Sequence, residues 1–323
     1  MDQKQIKNTS SPSGTGRKTC KSFRARLRML AVVTICLLIS LSGCLGGPAY
    51  STDKSAASTK QKKFVAFSTD AEAYFIPRDF ENFQGEFTRQ IMEVCRESNI
   101  PFTWLIVADS EHKEVSTFGK KLFPFRQDAD EFSLHAHFKW FIMDSDDDFT
   151  SFMIVDRRLK WLKEAKAEIE KAGLPQPRSF RYGGGDSQEK HYCIEDLIYL
   201  HDELGIRNYL FNPDRLPGVI GISRHEQKGN GVWIIDGDRE LTLLDTCIYL
   251  DEDINSIITA IDQRLASADY AIIGSHDYRE VVPEHLQESI EYLNAAFDTE
   301  YVTIDRIGEL VRSGEIGNLS WTK

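Results

Sequence analysis

The chain has 323 residues, with 39 Lys and Arg against 50 Asp and Glu, a net charge of −11. That charge is unevenly placed: residues 1–43 hold eight basic side chains and one acid, so the rest carries 31 basic and 49 acidic residues, a balance of −18. A domain that acidic repels polyanions, which excludes tight binding of nucleic acid.

Residues 1–43 read as a signal peptide. Basic residues from Lys4 to Arg28 precede an apolar run from Met29 to Leu41, and Leu41-Ser42-Gly43-Cys44 closes it. A spanning helix needs roughly 20 apolar residues, so this run suits a signal-peptide core. The tetrapeptide resembles a lipoprotein signal box, which implies an extracytoplasmic protein held to the membrane by a lipid on Cys44. Residues 44–62 are rich in Gly, Ser, Ala, Thr and Lys and are expected to form a flexible tether with a root-mean-square span of roughly 25 Å. Residues 63–323 show no internal repeat and no linker, and are expected to be one domain and a monomer. Three cysteines remain there, Cys95, Cys193 and Cys247. They are far apart and form no C-x-x-C pair, which argues against a disulfide framework or a zinc–thiolate site.

Short apolar runs at 64–69, 102–107, 178–182, 206–211, 232–236, 270–275 and 301–304 predict buried strands, and 131–137 and 240–250 predict strands with mixed faces. Between them lie helical patterns. Phe80, Phe83, Phe87, Ile91 and Val94 recur at spacings of three and four, and 156–171 is amphipathic and stopped by Gly173 and Pro175. Residues 252–265 and 284–297 behave in the same way. Strand–helix alternation over about 260 residues predicts an α/β fold, a distorted (β/α) barrel of seven or eight strands.

Four clusters at predicted strand ends carry the chemistry. Side chains at i and i+2 of a strand share a face, so Asp70 and Glu72 can address one site, and so can His135 and His137. Two imidazoles with a carboxylate make a common set for a divalent metal, although an H-x-H pair with hydrogen-bonded rings would need none. Phe180-Arg181-Tyr182-Gly183-Gly184-Gly185 places a cation at a strand end beside glycines that lack the spacing of a phosphate loop. Ala271-Ile272-Ile273-Gly274-Ser275-His276 delivers a histidine at the end of an apolar strand, where it can donate a proton near neutral pH. The remaining histidines, His285 among them, read as surface residues.

An Asp after strand one, a His pair after strand three, an Arg after strand four and a late His, in that order, resemble the polysaccharide deacetylase (NodB-homology) family over roughly residues 63–305. The match is to a divergent D-x-E and H-x-H branch. Ala71 stands where the usual motif has a second acid, and Lys139 where its second histidine falls.

The resemblance implies a metal-dependent carbohydrate deacetylase. Asp70 would be the general base, Arg181 its partner and His276 the general acid. Glu72, His135 and His137 would be ligands of a divalent metal, expected to be zinc. The substrate would be an N- or O-acetylated polysaccharide stacked on Tyr74, Trp140 and Tyr182. Asp277 or Asp245 could hold the His276 imidazole. The alternatives are a non-catalytic glycan-binding lipoprotein on the same barrel, or a glycoside hydrolase using carboxylates such as Asp70 and Asp245.

Overall fold

The computed structural model describes residues 61–72, 85–107, 123–136, 155–171, 173–182, 194–211, 226–229, 232–236, 238–246 and 248–317. Cys44, Tyr74, His137 and Trp140 lie outside these ranges, as do residues 1–60, which hold the expected signal peptide and nearly all of the expected tether. Among the described residues no helix is long and apolar enough to cross a membrane.

The strands are β1 (Lys62–Ala71), β2 (Phe102–Val107), β3 (Glu131–Ala136), β4 (Ser179–Tyr182), β5 (Asn208–Phe211), β6 (Glu226–Gly229), β7 (Val232–Asp236), β8 (Arg239–Asp245), β9 (Ile248–Tyr249), β10 (Tyr270–Gly274) and β11 (Asp298–Tyr301). The helices are α1 (Glu86–Ser98), α2 (Val155–Lys171), α3 (Ile194–Asp202), α4 (Ile254–Ser267), α5 (Val282–Ala296) and α6 (Ile304–Ser313). The sheet runs β6-β7-β8-β5-β4-β3-β2-β1-β10-β9, with β11 paired to β1. Eight of these strands, from β9 through β10 and β1 to β5 and β8, are mutually parallel. The two ends of that parallel run, β8 and β9, are separated in the chain by Thr246 and Cys247 alone. Three residue steps span at most roughly 11 Å, so the sheet must curl until its ends meet. The architecture is the distorted (β/α) barrel, with eight parallel strands.

Strand periodicity sorts the side chains into two cores. Val65, Phe67, Phe102, Trp104, Leu134 and Phe180 pack outward with Ile91 of α1, Ile257 of α4 and Leu286 of α5. Ala66, Leu105, Leu210, Leu244 and Ile272 form the second core with Ile304, Ile307, Leu310 and Val311 of α6. Burying each such side chain is worth about 1.5–3 kcal/mol. Helix α6 sits where the strands begin. The Ile304 amide donates to Thr103 Oγ1 (3.1 Å), and Arg312 Nη1 donates to Asn208 Oδ1 (2.6 Å) and Thr242 Oγ1 (2.8 Å). At Gly308 any Cβ would fall 1.9 Å from Asn208 Oδ1, so only glycine lets the helix lie this close. With that end filled, the opposite end is left for a site.

Two predicted strands are corrected. The apolar run 301–304 is not one element: β11 ends at Tyr301, and the Thr303 side chain accepts from the Arg306 amide to cap α6. The run 240–250 breaks after Asp245: β8 ends there, paired to β5, and β9 begins at Ile248, paired to β10.

Asp245 lies at that break and is committed elsewhere. Arg264 of α4 grips it with two bonds of 2.6 Å, stacks its guanidinium 4.7 Å from the Tyr270 ring and donates from Nε to the Tyr270 carbonyl. Asp245 is therefore available neither to hold His276 nor to serve as a glycosidase carboxylate. Breaking a buried pair leaves an uncompensated charge, at a cost of about 3–5 kcal/mol. Arg264→Ala is expected to lower unfolding stability by that amount in a denaturant titration. A change below about 1 kcal/mol would place the pair among surface bridges.

Candidate active site

Alternation along β1 puts Ser68 and Asp70 on the inner face, with Glu72 just past the strand end. The same rule puts Ser133 and His135 of β3, and Ser179 and Arg181 of β4, on that face. Parallel register aligns Val107 with His135 and His135 with Arg181, so these residues fall at one level of the barrel. From the other side, β10 continues past Gly274 and bridges Asp70 to His276. Asp70, Glu72, His135 and Arg181 are all buried.

Asp70 is held from several directions. Arg181 Nη1 donates to its Oδ1 at 2.8 Å, while its Oδ2 lies 3.8 Å from His135 Nε2 and 3.9 Å from His276 Nε2. Burial alone would raise the Asp70 carboxyl, but the charges of Arg181, His135 and His276 hold it below the usual carboxylate range. Arg181 also reaches Ser68 Oγ (3.3 Å) and lies 5.8 Å from the Tyr249 ring centre. Gly274 makes room for both: a Cβ there would stand 3.0 Å from Tyr249 Cε1 and 3.3 Å from Arg181 Nη1.

His135 is bonded at both ring nitrogens. Nδ1 lies 3.1 Å from the Arg181 carbonyl, which can accept only, so Nδ1 carries a hydrogen. Nε2 faces Glu72 Oε1 at 3.0 Å. Ligand atoms of Asp70, Glu72 and His135 lie within 4.8 Å of one another.

His276 is the most open of the group, with a side chain 27% exposed. Its Nδ1 bonds Asp251 Oδ2 and its amide donates to Asp251 Oδ1 (3.1 Å). The ring stacks on Tyr249 with centres 6.0 Å apart and leans on Tyr278 at 5.4 Å. Burial lowers the His276 pKa, but the Asp251 bond and the charges of Asp70 and Glu72 outweigh it and lift the group to about 9. A raised histidine pKa stabilises the fold below the unfolded value, near 6.5, and the gain is lost as pH climbs to about 9. Metal-free protein is therefore expected to lose unfolding free energy between pH 6.5 and 9, and His276→Gln to flatten that slope. A wild-type slope unchanged in the variant would contradict the assignment.

No family model matches the chain, and no curated protein does. Solved structures similar to it include polysaccharide deacetylases. One, from Mycobacterium smegmatis and described as a polysaccharide deacetylase, shares 17% identity over 87% of this chain and 98% of its own, at a TM-score of 0.46. The peptidoglycan deacetylase PdaC from Bacillus subtilis shares 14% over 79% and 93%, at 0.43. A carbohydrate esterase family 4 pseudoenzyme from Bacillus anthracis shares 12% over 77% and 66%, at 0.44. At these values the reading of function stands on the side chains of the site.

Of the residues singled out in the sequence, Asp70, Glu72, His135, Arg181 and His276 converge. Tyr182 is in β4 but its side chain lies outside the description, as do Tyr74, Trp140 and His137 altogether. Neither acid expected to hold His276 does so; Asp251 takes that place. Asp251 follows a strand end, the same signal that singles out Asp70. The run Asp251-Glu252-Asp253 reads first as a helix start, and Asp253 does cap α4. His285 is not a free surface residue either: its Nδ1 donates to the Leu250 carbonyl at 2.7 Å, pinning the turn that carries Asp251.

Proposed function

We propose that this protein is a metal-dependent hydrolase that removes N- or O-acetyl groups from a cell-wall or extracellular polysaccharide. The observation that carries this reading is the approach of His135 Nε2 to Glu72 at 3.0 Å while Nδ1–H is committed to a carbonyl. Nε2 then either takes a second proton or turns a lone pair toward a carboxylate, which a cation between them reconciles. Charge balance favours the cation. Among the described residues, the carboxyl groups of Asp70, Glu72, Asp251 and Asp277 outnumber the guanidinium of Arg181 and the imidazolium of His276, a surplus of acids that a divalent ion would offset.

The donor set fits such an ion, with mixed nitrogen and oxygen ligands suited to zinc. Glu72 and His135 would hold it, with His137 as the further ligand that the motif resemblance implies. When bound, a divalent ion supplies a Lewis acid that polarises a carbonyl and acidifies water. Asp70, kept ionised and oriented by Arg181, accepts the proton of the attacking water on Oδ2. His276, protonated at neutral pH and fixed through Nδ1 by Asp251, delivers a proton from Nε2 to the departing amine or alkoxide. A non-catalytic glycan binder has no use for that base and acid pair.

Acetate release from acetylated polysaccharides by the tag-free domain tests the reading. Release that a chelator stops and added zinc restores is the expected result. Glycan retention with no acetate would leave the binder in its place.

The motif at Leu41–Cys44 supports anchoring in the same proposal, with the domain outside the cytoplasm. Cys44→Ala is expected to shift the protein from the membrane fraction to unprocessed or soluble pools. Unchanged partitioning and processing would remove the lipid anchor.

A further inference from the structure

Glu72 stands beyond the last ladder pair of β1, at a point where neighbouring strands no longer fix its backbone. Its amide turns back onto the Asp70 carbonyl at 3.0 Å and also donates to Asp277 Oδ1 at 2.8 Å. The other oxygen of that carboxylate, Oδ2, accepts the Thr88 hydroxyl at 2.8 Å. Asp277 and Thr88 have no exposed surface, and Glu72 is 2% exposed. A threonine near a helix start ordinarily spends its hydroxyl on nearby backbone. Thr88 instead reaches from α1 to a residue 189 positions away. Asp277 is thereby clamped on both oxygens, and its own amide lies 3.4 Å from the Asp70 carbonyl. One buried carboxylate thus ties together α1, the end of β1 and the segment after β10.

We propose that Asp277 and Thr88 are a positioning pair for Glu72, setting from behind the ligand group how tightly this site holds a divalent cation. The proposal rests on the metal reading above and concerns what tunes it. Ligand side chains held by outer hydrogen bonds bind metal more tightly, because the ordering is complete before the ion arrives, and losing such a partner costs about 10–100-fold in affinity. The pair acts through geometry, since Asp277 Oδ1 fixes the Glu72 backbone and Thr88, bonded to Oδ2, fixes the carboxylate.

The experiment measures zinc affinity of the metal-free protein by competition with a chromophoric chelator, and thermal unfolding of the same samples without metal. Thr88→Val keeps shape and removes the hydroxyl; it is expected to weaken zinc binding about tenfold, and Thr88→Ser to restore it to within about twofold. Asp277→Asn keeps an acceptor for the Glu72 amide but discards the charge, and is expected to lose about 10–100-fold. Thr88→Val and Asp277→Asn that bind zinc like wild type, whatever their melting temperatures, would overturn the proposal and reduce the pair to a structural tie. A wild-type protein that binds no zinc would overturn the metal reading itself and this inference with it.

Discussion

Asp70→Asn is expected to lower acetate release by about 10²–10⁴-fold while leaving metal content at the wild-type level. The two oxygens of Asp70 have different duties. Oδ1 is taken by Arg181 at 2.8 Å, and Oδ2 stands between His135 and His276 at 3.8 and 3.9 Å. An amide preserves the size of the group and can still accept from Arg181, but it cannot take a proton. Rate and metal content measured on one sample separate the roles. A variant that loses its metal would make Asp70 a ligand and return the base role to another group. Activity within a few fold of wild type would show that no base is lost.

The second large effect is expected from His135→Ala, which should remove metal and turnover together while the circular dichroism of the fold persists. His135 is fully buried and bonded at both ring nitrogens, to Glu72 and to the Arg181 carbonyl. Without the ring an ion would lose the one nitrogen ligand among the described residues, leaving too few donors to hold it against water. Metal retained at wild-type stoichiometry would contradict the ligand role. Loss of the whole fold would show the histidine to be structural, as an H-x-H pair with hydrogen-bonded rings can be.

Much of this site was legible in the sequence because strand periodicity is a strong local signal. Asp70 and His276 each follow an apolar run and His135 and Arg181 each lie in one, and all four fall at or just past the same end of parallel strands. Their order along the chain carries the family resemblance. Asp251 and Thr88 were not legible in this way. Asp251 sits in an acidic run that also caps a helix, and Thr88 sits inside the apolar stripe of α1, between Phe87 and Ile91. Their partners are distant in the chain, His276 by 25 positions and Asp277 by 189, and no local pattern encodes such a pairing.

The fold divides similarly. The buried strands follow from short apolar runs, whereas β6, with the sequence Glu-Gln-Lys-Gly, is a polar strand at the sheet edge that no such run announces. Helix α6 carries Ile304, Ile307, Leu310 and Val311 at helical spacing, but no helix is expected there from the sequence, and the apolar stretch starting at Tyr301 reads as a strand. What settles that boundary is the Thr303 cap, a single hydrogen bond to the Arg306 amide.

The most direct test of the central claim is elemental analysis of the tag-free domain purified without added metal, read beside its acetate release. About one divalent ion per chain is expected, zinc by the donor set, with activity that follows its occupancy through chelation and reloading. A metal-free domain that still releases acetate at the same rate would contradict it.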